Sequence, residues 1–600
     1  MRRTIPEQTR WLGALVAGAA LMMTGAGTGK KKEPPLPKVE ETVGDVASIV
    51  GTDFKVEGVG LIIGLDNTGS DPAPSWQRTK LLDEMRKSGV PHPEKMFLNK
   101  SVTMVTVRAT VPAGMTLADK FDVEIELAPA TATTSLAGGW LVTTQLAQRA
   151  KTKDGDKDDK VIATAVGPVM IGNTAKPNEP KVGRVLGGGR VKEDSPFALT
   201  IKESRRSGRT SQLLQNVINN RFHETDGTDQ KGMATAKTDS LLILKVPKTY
   251  HHNQNRYHKM IKLLPLIDNP SLREQRLDQW GNDLLDPKKT GLAALRLEGL
   301  GPGAATKLRA ALGSPDETVR FFAAEALAYL NDSEGDAAKV LAETAKSKPE
   351  YRSFALKAMA ATDQSASLLK LRSLMAEPEF ELRYGAFDAL RTLDPTDPFL
   401  GKVQVLDDLP APEADVEMAM QITSAISKKK ANRREEPFSL YVVDCEGPPM
   451  IHVTRNTRCE LVIFGKSQKV LTPLVLGAGG PLLLNASDGS DEVQISRITE
   501  RTLDAPRTRL TSSLDVADMV RQMANIGASY PEVATLLGAA SVQKNLPGPY
   551  VIDAIPMPNK AYEETQLADA VIKKDSSLKK TGADTGRTTL MDRLQRRIKR

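Results

Sequence analysis

The sequence predicts an α+β protein in which two strand-rich regions are separated by an α-helical repeat. Strand-like alternation recurs at 102–107, 121–127 and 241–246. From 288 to about 395 the composition changes to an Ala- and Leu-rich pattern with helical spacing. Strand-rich sequence then returns after 438. A chain of 600 residues is long enough to hold three or four domains of ordinary size.

The overall composition is that of a globular protein and excludes several classes. Hydrophobic residues make up 40%, charged residues 26% and aromatic residues only 4%, which argues against stacking platforms for nucleic-acid bases. A net charge of +8 permits an acidic partner without identifying one. Two cysteines exclude a disulfide scaffold. No interior apolar run approaches the roughly 18 residues of a transmembrane helix.

The N-terminus has the pattern of an export signal. Basic residues precede an apolar run at 11–23, and small residues follow it at 24–27. This order predicts a secretory signal peptide that is removed from the mature protein, and an uncleaved anchor is the alternative. The lysine- and proline-containing stretch that follows predicts an exposed, flexible leader.

Composition changes along the chain divide it into seven segments. Helical patterns at 78–88, 211–222 and 257–264 accompany the strands of the first strand-rich region, and two helices are expected within 514–540. The tail is basic and polar, and a solvated tail is favoured over an amphipathic helix. The predicted segments are a signal peptide (1–27), a leader (28–42), an N-terminal α+β region (43–267), a helical insertion (268–406), a linker (407–437), a C-terminal strand-rich region with closing helices (438–557) and the tail (558–600).

Three similar segments occur within the helical insertion. Each contains an arginine near its start (Arg320, Arg352 and Arg383), and these arginines are spaced by about 32 residues. The pattern resembles HEAT-like repeats, in which paired helices bury their apolar faces against one another, and a plain helical bundle is the alternative. We expect an independently folding unit that projects from the rest of the chain and binds a partner that the sequence does not identify. The segments are 318–327, 350–359 and 381–390.

The histidines do not predict a metal site. His251, His252 and His258 are close in sequence where a predicted strand ends and a helix begins. They lack the spacing of a zinc motif, and a site there would need a further ligand at suitable geometry. A polar loop is therefore the favoured interpretation, and neither a metal nor a cofactor is expected.

A glycine-rich stretch briefly resembles a dinucleotide-binding motif. Gly58 and Gly60 have the required spacing, but Gly64 comes one place late, and the run continues to Gly69 instead of opening a helix. Backbone amides at a helix N-terminus, which would hold a pyrophosphate, are therefore not provided. No nucleophile elbow or P-loop is present, so the chain is predicted not to be an enzyme.

The two cysteines, Cys445 and Cys459, lie in adjacent strand-like segments with thirteen residues between them. Turn-forming residues between them allow the chain to reverse, and an oxidising periplasm favours a disulfide. Closing a loop of this size would contribute about 3 kcal/mol in the chain-entropy description. Two unpaired thiols are the alternative.

Residues 56–69 resemble the opening motif of the flagellar P-ring protein family. The matching positions are Gly58, Gly60, Gly64, Leu65, Asp66, Thr68 and Gly69. Gly138 and Gly139 lie in a second matching segment, and these glycines suit close backbone turns between strands. A similar segment precedes this motif at 44–51, and further ones follow it in family order at 99–107, 111–112, 121–123, 135–144, 183–185, 218–222, 241–247, 514–523 and 531–537.

This resemblance implies a structural subunit of the flagellar basal-body P-ring. Family members are exported to the periplasm and assemble in many copies at the peptidoglycan layer, around the rod and below the L-ring. The implied partners are other copies of the chain, the rod and L-ring proteins and the peptidoglycan layer; no cofactor and no nucleic acid are implied. The ring would act as a bushing in which the rod turns.

Two departures from the family bear on the partners. Family members direct basic side chains toward neighbouring basal-body parts; Lys100 matches one such position, whereas a second is Thr134 here. The insertion of about 170 residues, 268–437, is the larger departure. It leaves open a second hypothesis, a periplasmic scaffold that recruits partners through the helical repeat. An ordinary solvated lysine is the alternative for Lys100, and an envelope enzyme is the least favoured function.

Overall fold

The computed structural model describes residues 40–51, 53–87, 89–128, 131–148, 160–172, 179–226, 229–332, 336–406, 437–477, 482–497, 508–559 and 562. The predicted signal peptide and almost all of the leader, the linker and the tail lie outside the described residues. The described residues from Glu41 onward form one compact unit. Within the described ranges, no helix combines the length and the apolar character needed to cross a bilayer.

Six antiparallel strands close into a barrel in the N-terminal region. The strands of this sheet are β2 (Phe54–Ile63), β3 (Thr103–Val111), β4 (Phe121–Leu127), β5 (Trp140–Gln148), β6 (Lys160–Pro168), β7 (Met170–Ile171) and β8 (Val182–Val191). Their order is β4-β3-β2-β5-β6-β8; β4 pairs with β8 to complete the circle, and β7 pairs beside β8. In β4, Phe121, Val123 and Ile125 face the apolar core while the acidic residues between them face outward.

A four-stranded antiparallel sheet accompanies the barrel. It is built from β1 (Ala47–Val50), β9 (Phe197–Ile201), β12 (Ala234–Ala236) and β13 (Leu241–Leu244), in the order β1-β9-β13-β12. The helices of this region are α1 (Val43–Val46), α2 (Trp76–Lys87), α3 (Gly208–Arg221) and α4 (Gln254–Leu263), and β10 (His223–Asp226) pairs with β11 (Asp229–Gly232). The strands and helices that the sequence predicted here are confirmed.

The described part of the repeat region contains eight α-helices. They are α5 (Pro270–Leu284), α6 (Thr290–Leu300), α7 (Ala305–Ala311), α8 (Glu317–Tyr329), α9 (Asp336–Ser347), α10 (Pro349–Ala361), α11 (Ser365–Leu374) and α12 (Phe380–Leu393). The three similar segments correspond to α8, α10 and α12. Arg320, Arg352 and Arg383 are each the fourth residue of their helix, so the sequence repeat is a structural repeat.

Each repeat arginine bonds the carbonyl end of the preceding helix. Arg320 donates to Ser314 O at 2.8 Å, after α7. Arg352 donates to Ala345 O at 2.8 Å, in the last turn of α9, and Arg383 to Met375 O at 2.8 Å, at the end of α11. A cation at a helix C-terminus satisfies carbonyls that have no intrahelical donor. The regular spacing of these arginines within the chain therefore has a physical cause.

The described residues of the C-terminal region form two sheets and two helices. A mixed five-stranded sheet runs in the order β14 (Lys402–Val403), β15 (Ser439–Val443), β17 (Glu460–Phe464), β16 (Met450–Val453) and β22 (Tyr550–Ile552). An antiparallel sheet runs in the order β18 (Leu474–Gly477), β19 (Leu482–Ala486), β20 (Glu492–Arg497) and β21 (Thr508–Ser513). The two predicted helices are α13 (Val516–Asn525) and α14 (Tyr530–Val542).

The helical repeat does not form a separate, projecting unit. One apolar core runs from α1 and β9 through the repeat helices to β15 and β17. Phe387 of α12, for example, packs edge-on against Tyr441, with ring centroids 5.0 Å apart, and against Phe464 at 6.0 Å. The expectation of an independent insert is wrong because the apolar faces of these helices are buried against the regions on both sides.

The predicted disulfide is also wrong. Cys445 and Cys459 are both free thiols. Cys445 follows β15 and Cys459 precedes β17, and these two strands are parallel, with Val443 opposite Phe464. Cys459 is level with Phe438, seven residues before Cys445, so the cysteines lie at opposite ends of the strand pair. At the usual rise per residue they are more than about 15 Å apart, which is too far for an S–S bond. The sequence interpretation failed because it assumed a simple reversal between adjacent strands.

Candidate functional site

Two motif glycines allow β2 to approach β5 closely. A Cβ on Gly58 would lie 2.2 Å from the carbonyl oxygen of Gln145, and one on Gly60 would lie 2.5 Å from Thr144 Oγ1. Any side chain at these positions would push the two barrel strands apart. The glycines therefore serve barrel closure, and β2 leads into a loop rather than a phosphate-binding helix.

Three loops meet at the end of β2 and together form what we call the loop cluster, residues 65–69, 99–101 and 133–139. Backbone hydrogen bonds join them: Gly69 N donates to Lys100 O at 2.7 Å and Thr134 N donates to Thr68 O at 3.0 Å. The Thr68 hydroxyl donates to Ser135 O at 2.8 Å. The motif thus fixes three segments that are distant in sequence against one another.

The remaining motif glycines shape this cluster. Gly64 and Gly138 have φ values of 78° and 71°, which favour glycine, and they face each other across the cluster. A Cβ on Gly69 would lie 2.4 Å from Val102 O, and one on Gly139 would lie 2.5 Å from Ile62 Cγ2. Close backbone approach, rather than chemistry, explains why these positions are glycine.

The loop cluster presents an open surface. Lys100 and Thr134 are both exposed and lie on the two segments that bond the Thr68–Gly69 peptide, so these two residues are neighbours in the fold. Asp66 is exposed in the same cluster. Leu98 is 79% exposed and Trp140 is 41% exposed at its margins. A basic group beside exposed apolar side chains can contact another protein surface.

The histidines do not converge on a site. His251 and His252 lie with ring centroids 5.3 Å apart, whereas His258 packs edge-on against Phe197 at 4.2 Å. Burial lowers the pKa of His258 to about 4. Across the part of the chain that the structure describes, no group of three potential metal ligands is present.

Sequence reasoning missed a buried ionic cluster between the N-terminal region and the repeat. Arg256 of α4 pairs with Glu298 of α6 at 2.5 Å and with Glu325 of α8 at 2.7 Å, and all three side chains are almost completely buried. Tyr250 donates to Glu298 at 2.9 Å. Glu298 and Glu325 stand within otherwise apolar helical stretches, which was the available signal.

The fold defines a modular α+β protein that joins a closed antiparallel barrel to a helical repeat. Comparison with known protein families finds a match for each of the two parts. Residues 42–272 match the family model described as Flagellar P-ring protein, and residues 305–391 match the one described as HEAT repeats. The chain therefore carries a flagellar P-ring domain and HEAT repeats, as the resemblance predicted.

Individual relatives are distant and are matched only in part. A flagellar P-ring protein of Aquifex aeolicus (strain VF5) is 30% identical over 220 residues, which is 34% of this chain and 56% of the relative. One of Oleidesulfovibrio alaskensis is 26% identical over 250 residues, 40% of this chain and 64% of the relative. One of Helicobacter pylori (strain ATCC 700392 / 26695) is 25% identical over 234 residues, which is 38% of this chain and 60% of the relative. The chain thus spans a little over half the length of these curated relatives.

Proposed function

We propose that this chain is a structural, non-catalytic subunit of a flagellar P-ring, exported to the periplasm and assembled around the rod at the peptidoglycan layer. The observation that carries the proposal is the match of residues 42–272 to the P-ring family, over the closed barrel and its glycine-dependent loop cluster. The closing helices α13 and α14 also resemble the family in sequence, and this resemblance supports the P-ring proposal. The resemblance itself remains a prediction.

The geometry suits a mechanical role. The six strands of the closed barrel leave no edge strand, and the glycines bring β2 and β5 into close contact. A closed sheet of this kind suits a subunit that carries mechanical load. A ring subunit needs two different complementary surfaces, because heterologous contacts close by rotation. In this proposal the loop cluster, with Lys100, contacts a neighbouring part of the basal body.

The second candidate function is a periplasmic scaffold that uses the P-ring fold. The HEAT match at 305–391 favours it, since helical repeats present extended binding surfaces. The two candidates differ in location: a ring subunit is an obligatory part of the basal body, whereas a scaffold is not.

Mass spectrometry of purified hook–basal bodies from the source bacterium separates the candidates. We expect peptides from 50–150 and from 300–390, in stoichiometry with other ring proteins. If intact basal bodies contain neither set, the P-ring role is wrong and the scaffold becomes the working function.

A further inference from the structure

The chain returns to the helical repeat after its last strand. Beyond β22, the strap, which we define as residues 553–559 and 562, crosses the repeat region. Ala554 N donates to His452 Nε2 at 3.0 Å, and Ile555 packs against the large core. Pro556 lies against α12 at Gly385, where a Cβ would come within 2.7 Å of the proline ring. Residues 560 and 561 lie outside the described residues.

Tyr562 ends the strap in an aromatic socket, which we define as Phe321, Phe322, Tyr351 and Phe354. The Tyr562 ring stacks on Phe354 with centroids 3.4 Å apart and an angle of 14°, and on Phe322 at 5.6 Å. Phe321 and Tyr351 contact it edge-on at 6.1 and 6.3 Å. The side chain is 3% exposed, so the socket encloses the whole ring.

Two buried charges recognise the hydroxyl group. Tyr562 OH donates to Glu325 Oε1 at 2.7 Å and accepts from Arg256 at 3.0 Å. Neither charged group is accessible to water, so a phenylalanine in the socket would leave both without this partner. Sites that bond a ligand hydroxyl discriminate strongly against the analogue that lacks it.

The strap supplies none of the residues that line the socket. Its walls come from α8 and α10, and its polar base comes from α4 and α8, all of which pack in the large core. The strap contributes a single aromatic side chain at its end. The receptor and its occupant are therefore separate parts of one chain, joined through β22.

We propose that the helical repeat is a receptor for the chain's own C-terminal strap, with Tyr562 as a specifically recognised anchor. The partner of the repeat is then intramolecular, and the socket is a tyrosine-binding site that is already filled. This assignment is independent of the proposed P-ring role, since it rests only on contacts within the chain.

The first test uses the full chain with Tyr562→Ala and a fluorescent synthetic peptide of residues 558–566, measured by fluorescence anisotropy. We expect the variant to bind the peptide and the wild-type chain, whose socket is filled, to bind at least about tenfold more weakly. The matched control is the same peptide with phenylalanine in place of tyrosine, which should bind the variant at least about tenfold more weakly because it lacks the two hydrogen bonds. Equal binding of both peptides, equal binding by both chains, or no binding would each overturn the proposal.

A second measurement does not depend on the alanine variant. In Tyr562→Phe, which keeps the ring, amide hydrogen exchange at 553–559 should be at least about tenfold faster than in the wild type, while exchange in the barrel strands stays the same. Unchanged exchange in the strap would contradict the anchoring role. A wild-type dimer that Tyr562→Phe abolishes in sedimentation would show that the strap enters a second copy, and the intramolecular assignment would be wrong.

Discussion

The guanidinium group of Arg256 and the carboxylate of Glu298 form a two-point ion pair that joins the P-ring domain to the repeat. Arg256 Nη2 and Nε lie 2.5 and 3.0 Å from Glu298 Oε2, and the two side chains are 1% and 0% exposed. Glu325 adds a second carboxylate, and Tyr329 lies under the guanidinium at 4.7 Å. Burial raises the pKa of Glu325, and Arg256 opposes that rise by stabilising the carboxylate.

Removing Arg256 is expected to destabilise the whole unit. Arg256→Met leaves two buried carboxylates without their cation, which typically costs about 3–5 kcal/mol. Chemical denaturation measures the change in the free energy of unfolding. The matched control is Lys307→Met, which breaks a surface pair with Asp278 of 2.9 Å and should cost less than about 1 kcal/mol. Equal effects of the two substitutions would contradict the structural role of the buried cluster.

The repeat arginines should differ in importance according to burial. Arg383 is fully buried, bonds Met375 O, Pro448 O and Cys445 Sγ, and lies over Phe464 at 4.9 Å. Arg383→Met should cost about 2–4 kcal/mol, because several buried acceptors lose a charged donor. Arg320 is partly exposed; it bonds the Ser314 and Pro315 carbonyls and pairs with the exposed Glu317 at 3.9 Å, so Arg320→Met should cost about 1 kcal/mol or less. Urea unfolding of both variants checks the order, and a reversed order would contradict this account.

Sequence periodicity predicted the elements because each reflects local chemistry. The alternation of apolar and polar residues predicted β3 and β4. The recurring arginine predicted the repeated helices α8, α10 and α12. The glycine motif predicted close backbone turns, and the structure supplies the reason in the approach of β2 to β5. These features were predictable because they depend on residues near one another in sequence or on one face of an element.

Non-local packing was not predictable in the same way. β15 and β17 are parallel because β16, which lies between them in sequence, pairs on the far side of β17. No local sequence signal distinguishes this arrangement from a hairpin of the two cysteine-containing segments. Likewise, the apolar core of the repeat is continuous with the N-terminal and C-terminal regions because the apolar faces of its helices pack against both. That packing joins residues distant in sequence. The socket for Tyr562 joins residues more than 200 positions apart, as the Tyr562–Glu325 bond shows.

Gly58 provides a test of barrel closure. Gly58→Ala places a Cβ 2.2 Å from a backbone oxygen of β5. Because relieving this contact requires the backbone to shift, we expect the free energy of unfolding to fall by about 1–3 kcal/mol or more. The matched control is Gly303→Ala, where no atom lies within 4 Å of the added carbon and a change within about 0.5 kcal/mol is expected. Thermal unfolding of both variants makes the comparison. A tolerated Gly58→Ala would mean that β2 and β5 separate easily.

Lys100 tests the partner surface within the proposed P-ring role. Lys100 is exposed, so Lys100→Glu should leave the thermal unfolding midpoint within about 1 °C of the wild type while reducing swimming in soft agar. Lys95→Glu, at another exposed lysine in the preceding 3-10 helix, is the matched control and should swim normally. If both charge reversals swim normally, Lys100 is an ordinary solvated lysine and the loop cluster contacts its partner through other groups.

His452 should make stability depend on pH. It is fully buried, stacks on Tyr384 at 3.6 Å and accepts a hydrogen bond from the strap at Ala554 N. Burial lowers the pKa of His452 to about 3, although Asp388 acts in the opposite direction. Because the unfolded histidine titrates near 6.5, the unfolded chain binds more protons than the folded chain between about pH 3 and 6.5.

The free energy of unfolding is therefore expected to fall as the pH is lowered through this window, with His452 contributing up to about 1.4 kcal/mol per pH unit. His452→Gln retains an acceptor for Ala554 N but removes the titrating group, so its stability should fall less steeply between pH 6.5 and 4.5 in urea unfolding. His92→Gln, at an exposed histidine, is the control and should follow the wild-type slope. Comparing slopes cancels the carboxylates that titrate in the same range, since all three chains share them. Parallel curves for the wild type and His452→Gln would show that His452 is already protonated in the folded state, or that its ring reaches water through movement of the strap.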